Sequence, residues 1–339
     1  MKKLLILLAF LIGLAAVAYL LKPQNDGPKT SMDTTDRNFA FPEDQMGMVT
    51  VKSKDRALQT FKRGKGGIWT LNDKYKVSQF TLPQITKTLS NIKVQNIPSK
   101  GETESILKDI AKVGIQIKIY DLDLKEVRSF QIGLESYDES GTAFLMDGAT
   151  QPYNMFLSGL YGDVRTRFTQ EVDRYRDREM FQYVAEDIKE VSINYHKDQK
   201  SSFKLTVAGS EYKVEPLSQF LQPTTKSVSP DRVMAYLGGF SRIYAEDFDN
   251  SNVRLDSIRA LVPFATVTVK DKNGSINEID FIPFKDIITR NSNTRDIDQA
   301  RKIERFFINK TTDGNYDFMV AQNRLVQPVF RGYGYFFGE

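Results

Sequence analysis

From residue 48 onward, apolar and polar residues alternate with period two in one short run after another, which predicts a body built mostly of strands. Met48-Val49-Thr50-Val51 opens the series, and Ala57 to Phe61, Ile68 to Leu71 and Tyr75 to Val77 continue it. Between them lie Lys62-Arg63-Gly64-Lys65-Gly66-Gly67 and Asn72-Asp73-Lys74, turn-rich segments of the kind that close hairpins. Leu82-Pro83 starts a helix, with Ile85, Leu89 and Ile92 at helical spacing and proline in the tolerated first turn. The clearest strand is Val113 to Tyr120, followed by Val127 to Ile132, Thr142 to Met146 and Tyr153 to Leu157.

The same order of elements then recurs. Val191 to Tyr195, Phe203 to Val207 and Tyr212-Lys213-Val214 repeat the opening hairpins, and Tyr-Lys-Val closes them both times. Ser229-Pro230-Asp231 opens a helix whose apolar face is Val233, Tyr236, Leu237, Phe240 and Ile243. Ala265 to Val269 takes the part of Ile115 to Ile119, Asn273-Gly274 is a hairpin turn, and Ile279 to Phe281 returns. Tyr316 to Val320 and Pro328 to Phe330 echo Ala143 to Met146 and Pro152 to Phe156. The expected fold is therefore α+β: two tandem, related modules, 47–160 and 188–339, each a mostly antiparallel sheet with one main helix. The charged stretch 161–187 between them reads as a solvated linking helix with local ion pairs.

One segment breaks the alternation. Leu4 to Leu21 is uncharged, follows Lys2-Lys3 and ends at Lys22-Pro23. As a helix it would span about 27 Å, close to the hydrocarbon core of a bilayer. Residues 1–22 are therefore expected to be a transmembrane anchor with its basic end in the cytoplasm. The rival is a signal peptide cleaved after Ala16-Val17-Ala18, but the apolar run continues past that site through Leu21. Residues 23–46 are polar and rich in turn formers, and read as a tether.

Composition narrows the chemistry. The formal net charge is +4, and setting aside Lys2 and Lys3 leaves +2, which gives no basic footprint for nucleic acid. There is no cysteine and one histidine, His196, so thiol catalysis, thiolate metal sites and histidine-based triads have little to work with. His196 reads as an exposed turn residue. The glycine-rich 62–67 segment runs into a strand, whereas a phosphate loop runs into a helix, so it too reads as a turn. Asp121 with Asp123, and Asp247 with Asp249, share spacing that suits one face of a strand, yet they lack the rest of a calcium loop and read as turn carboxylates. Trp69 reads as core. Tyr333, Tyr335, Phe336 and Phe337 should pack into the second module rather than dangle in water. No catalytic, cofactor-binding or metal residue is assigned.

Several short marks occur together: the Lys-Lys and apolar start, Gly67-Ile68-Trp69-Thr70-Leu71-Asn72-Asp73-Lys74-Tyr75, Lys118-Ile119-Tyr120 and Gly141-Thr142. Gly159-Leu160-Tyr161-Gly162, Arg165-Thr166-Arg167-Phe168, Arg176-Asp177-Arg178 before Phe181, and Ser202-Phe203 follow in order. In these the chain resembles the family called domain of unknown function 4340, in its Bacteroidetes-like form, with Leu160 and Tyr175 standing where Phe and Trp are expected. The resemblance implies an envelope protein without assigned chemistry, some of whose relatives look like companions of ABC-type transport systems linked to gliding. It carries over no site residues. The expected protein is a non-enzymatic scaffold or accessory subunit of an envelope complex. It would be held in the inner membrane with its body in the periplasm, with protein partners, no nucleic acid and no cofactor. The alternative is a binding module for a lipid, glycan or peptide lodged between the modules.

Overall fold

The computed structural model describes residues 37–160, 163–285, 294–312 and 315–338, so the expected anchor and most of the tether lie outside the described residues. Among the described residues, no helix is long and apolar enough to cross a membrane. The chain forms two compact units: residues up to Leu58 with Ile85–Thr169, and Gln59–Gln84 with Gln170–Glu339. The sequence pattern places 59–84 in the first module; its packing belongs with the second unit.

In chain order the first elements are β1 (Met48–Lys52), β2 (Gln59–Arg63), β3 (Trp69–Leu71), β4 (Tyr75–Lys76), α1 (Leu82–Asn91), β5 (Lys93–Asn96) and α2 (Lys100–Val113). Then come β6 (Ile115–Tyr120), β7 (Glu126–Glu135), β8 (Thr142–Met146) and β9 (Tyr153–Phe156). The first unit is an antiparallel sheet in the order β1-β6-β7-β8-β9-β5. Alternation buries Ile115, Ile117 and Ile119 on one face, where Ile85 and Leu89 of α1 and a ring cluster of Phe39, Phe130, Phe144 and Tyr153 complete the core. Two helices serve this unit rather than one. Helix α2 begins at a capping box in which the Ser99 hydroxyl accepts from the Glu102 amide while the Glu102 carboxylate accepts from the Ser99 amide. It takes Val113, which the alternation would give to a strand. It approaches β7 so closely that a Cβ at Gly133 would stand 2.8 Å from Ile110 Cγ1.

The second unit adds α3 (Val172–Tyr175), β10 (Glu179–Phe181), β11 (Ile188–Tyr195), β12 (Phe203–Ala208), β13 (Glu211–Pro216) and α4 (Pro230–Gly238). It continues through β14 (Ile243–Tyr244), β15 (Asp247–Phe248), α5 (Leu255–Arg259), β16 (Ala265–Asp271) and β17 (Ile276–Pro283). It ends with α6 (Ile297–Ala300), β18 (Arg305–Thr312), β19 (Asn315–Gln322) and α7 (Asn323–Val326). Eight strands pair antiparallel in the order β13-β12-β11-β16-β17-β18-β19-β15, and the antiparallel meander β2-β3-β4 belongs to the same unit. Val191, Ile193, Val267, Val269, Ile279, Phe281 and Ile308 line its buried face, and α4 supplies Val233, Tyr236 and Leu237. The order β11-β16-β17-β18-β19-β15 repeats the succession seen in the first unit, strand for strand; α4 and α5 precede β15 and β16 as α1 and α2 precede β5 and β6, whereas α6 has no counterpart between β7 and β8.

Three expectations are corrected. The positional counterpart of Tyr316 to Val320 in β19 is β9, while β8 corresponds to β18. Pro328 lies in a 3-10 turn, Gln327–Val329, and not in a strand, since proline has no N–H for a ladder. The described part of the 161–187 stretch, 163–187, is no solvated helix: a 3-10 turn at Val164–Arg167, the single turn α3 and strand β10 bury Phe168, Tyr175, Met180 and Phe181.

The β6–β7 and β16–β17 hairpins close alike. Asp121 Oδ1 accepts from the Asp123 and Lys125 amides, and Asp271 Oδ1 accepts from the Asn273 and Ser275 amides. The left-handed position is Gly274 in one, with φ 85°, and Leu124 in the other, with φ 61°. A leucine there is strained by about 1–2 kcal/mol. We therefore expect Leu124→Gly to raise the stability of the first unit by about 1 kcal/mol, read as a shift in its denaturation midpoint.

Candidate functional site

A cleft with a volume of about 340 Å³ lies in the first unit. It falls between one face of α2 and the β7–β8 hairpin. Glu102, Ser105, Ile106 and Asp109 recur at helical spacing and so share that face. Opposite them stand Leu134, Glu135 and Ser136 of β7 and the turn, with Ala143 and Asn154 from β8 and β9. A bulge in the β7–β8 ladder between Ile132 and Glu135 re-aims this end of β7. Tyr137, fully exposed at the hairpin tip, stands at the rim.

Two side-chain oxygens of residues that line the cleft lack a partner, and both are closed off from solvent. Asn154 is 7% exposed; its amide nitrogen donates to Asn96 Oδ1 at 2.8 Å, but its own Oδ1 is buried and receives nothing. Glu135 Oε1 is likewise buried without a donor. Desolvation, reinforced by the charges of Asp163 and Glu139, raises the Glu135 carboxyl above its ordinary pKa. At the other end, the hydrogen bonds from Ser99 hold Glu102 below its ordinary value. No lysine or arginine lines the cleft. The nearby Arg165 guanidinium is committed to the carbonyls of Val113, Ile132 and Gly133.

Several charged groups of the second unit are, by contrast, paired with one another. Arg176, 6% exposed, lies between the rings of Tyr75 and Phe248, with Cζ 3.9 and 4.0 Å from their centroids. Its Nη2 donates to both Asp317 oxygens at 2.6 and 2.7 Å, and Nη1 to Asp173 at 2.9 Å. Lys76 bridges Asp177 and Glu179, and the half-buried Lys310, its pKa lowered by desolvation, donates to the Glu179 carbonyl. A second cleft, of about 410 Å³, presents Arg301, Arg305 and Arg324. Arg305 grips Glu246 through two hydrogen bonds, Arg301 pairs with Asp298, and Arg324 Nε donates to Gln322. No anion is needed to satisfy it.

His196 is half-buried rather than an exposed turn residue, and a hydroxyl and a carboxylate do reach it. Its Nε2 lies 2.8 Å from Thr266 Oγ1, which donates to Asp280 Oδ1 at 2.7 Å. Because the hydroxyl donates its hydrogen bond to the carboxylate, Thr266 accepts from the imidazole and is not activated by it. This is a side-chain ladder across the solvent-facing side of the sheet. Asp121 and Asp249 are turn carboxylates as expected, the latter accepting from Asn252, while Asp247 pairs with Arg174. Gly64 to Gly67 close the β2–β3 hairpin, and Trp69 is buried. Among the described residues, no three acidic or histidine side chains converge as metal ligands. The sequence reading passed over Glu135, Asn154 and α2 altogether, although Ser99-x-x-Glu102 ahead of Ile106 and Ile110 is a readable helix start.

No family model, curated protein or solved structure matches this chain.

Proposed function

We propose that this protein is a non-enzymatic accessory subunit of an envelope complex, anchored in the inner membrane by 4–21, with its body in the periplasm, and acting by binding. The observation that carries the reading is the first-unit cleft, lined by apolar and acidic side chains among which no nucleophile is paired with a base. The alternation-breaking run Leu4 to Leu21 supports the anchor, and the ordered marks shared with domain of unknown function 4340 support the envelope setting. The matching strand succession and the matching Asp121 and Asp271 turns favour two tandem copies of one α+β module.

Chemical cross-linking in membranes of cells that make the full chain, followed by mass spectrometry, tests the reading. Discrete membrane-protein partners cross-linked to a chain that still begins at or near Met1 are expected. A soluble product beginning at Tyr19, with no cross-linked partner, would overturn both anchor and accessory role.

A further inference from the structure

We propose that the tip of the β2–β3 hairpin, Gly64 to Ile68 with Lys62 behind it, rests on the headgroups of an anionic phospholipid bilayer; this builds on the reading of 4–21 as a membrane anchor.

Positive charge is sparse over the body but concentrated at this hairpin. Setting aside Lys2 and Lys3 leaves +2 for the chain, whereas the stretch between Asp55 and Asp73 holds Arg56, Lys62, Arg63 and Lys65 and no acidic residue. Among the described residues, Lys62 and Lys65 form no ion pair, while Lys76 in β4 of the same meander is held by Asp177 and Glu179. Gly64 to Ile68 are all exposed. Ile68 leaves 58% of its surface in water although its neighbour Trp69 is buried. A Cβ at Gly66 or Gly67 would meet nothing within 4 Å, so nothing packs on the tip there.

Closing a hairpin does not require such a tip. The corresponding hairpin β12–β13 closes with Gly209-Ser210 alone, since Ala208 pairs directly with Glu211. Strands β2 and β3 pair only as far as Arg63 and Trp69, which leaves 64–68 between them. The longer loop therefore adds a cation and a branched apolar side chain where the shorter one adds neither.

That combination suits a lipid surface. The ammonium groups meet headgroup phosphates, and Ile68 enters the boundary between headgroups and acyl chains. A soluble polyanion would use the charges but give Ile68 no apolar partner. Each basic residue strengthens contact with an anionic surface by roughly fivefold, too little for two lysines to hold a free protein. A tethered body needs no more, because residues 23–36 span at most about 50 Å when extended. Lipid then stands at high effective concentration beside the tip.

The chain has no cysteine, so Ile68→Cys gives a single thiol for a nitrobenzoxadiazole label, and Ser210→Cys gives one on the counterpart turn. The full chain is reconstituted in vesicles with the label outside. In bilayers rich in phosphatidylglycerol, the label at 68 should emit at shorter wavelength and escape quenching by aqueous iodide. In pure phosphatidylcholine, and at 210 in either lipid, it should behave as in water. Lys62→Gln with Lys65→Gln in the labelled chain should reduce bilayer contact by roughly fivefold per lysine. Unchanged Trp69 fluorescence in that variant would show the fold intact. A label at 68 that stays open to iodide on phosphatidylglycerol, responds equally at 68 and 210, or responds to heparin but not to lipid would overturn the proposal. Flotation with phosphatidylcholine vesicles in high salt reads the anchor separately, since the tip contributes nothing there. A chain that fails to float is mixed with phosphatidylglycerol vesicles instead, and its label is judged by the same outcomes.

Discussion

Cutting the chain after Gly332 should unfold the second unit at markedly lower denaturant concentration, and Phe336→Ala alone should cost about 3–5 kcal/mol. The C-terminal aromatics form a 3-10 turn, Tyr333–Phe337, folded into the core of that unit. Phe336 is fully buried, with ring contacts at 4.8 Å to Phe203 and 5.3 Å to Tyr236. Its removal opens a cavity against α4 that rigid strands cannot close. Polar ties add to this. The Phe336 carbonyl accepts from the Ser229 amide, just before α4, and the Tyr335 carbonyl accepts from Arg232. The Tyr333 hydroxyl accepts from the Thr224 amide. Truncation leaves those donors unpaired as well. Trp69, the single tryptophan, is buried in the same unit, so its fluorescence during urea unfolding is the readout. An unchanged midpoint would mean that the tail serves a partner and not the core.

Arg176→Ala is expected to destabilise the same unit by about 3 kcal/mol. Removing one member of a buried ion pair costs about 3–5 kcal/mol. Asp317 and Asp173 keep 31% and 40% of their side-chain surface exposed, so water recovers part of that. The two flanking rings add a desolvated cation–π contribution of about 1–2 kcal/mol. Arg176→Lys keeps the charge but neither the planar stack nor donors to both carboxylates, so it should recover less than half of the loss. Both substitutions are read by Trp69 fluorescence, and the difference should change little with added salt because the pair is shielded from it. A loss below about 1 kcal/mol in Arg176→Ala would show that this pairing behaves as a surface ion pair.

The strands were legible because period-two alternation is a local property: Ile115, Ile117 and Ile119 declare a buried face without reference to anything else. Turns were legible for the same reason, since Asn72-Asp73 and Asn273-Gly274 supply the left-handed conformations that their hairpins need. Helix α2 was overlooked although its capping box is also local. The strand pattern beginning at Val113 overlaps its last turn, and the more regular period hid the other. The aromatic tail was recognised as core by its hydrophobicity, but its turn geometry was not.

What the sequence by itself determined is the α+β, mostly antiparallel character of the body, through periodicities that each segment carries within a few residues. Pairing between distant residues was left to the tertiary structure. The charges of 161–187 read as solvated because only the fold brings Asp317 and the rings of Tyr75 and Phe248 to Arg176. His196 looked isolated because Thr266 and Asp280 reach it only across strand register. The cleft was invisible for the same physical reason. Glu135 and Asn154 become special only when strand pairing and the close packing of α2 on Gly133 remove water and leave two acceptors without donors.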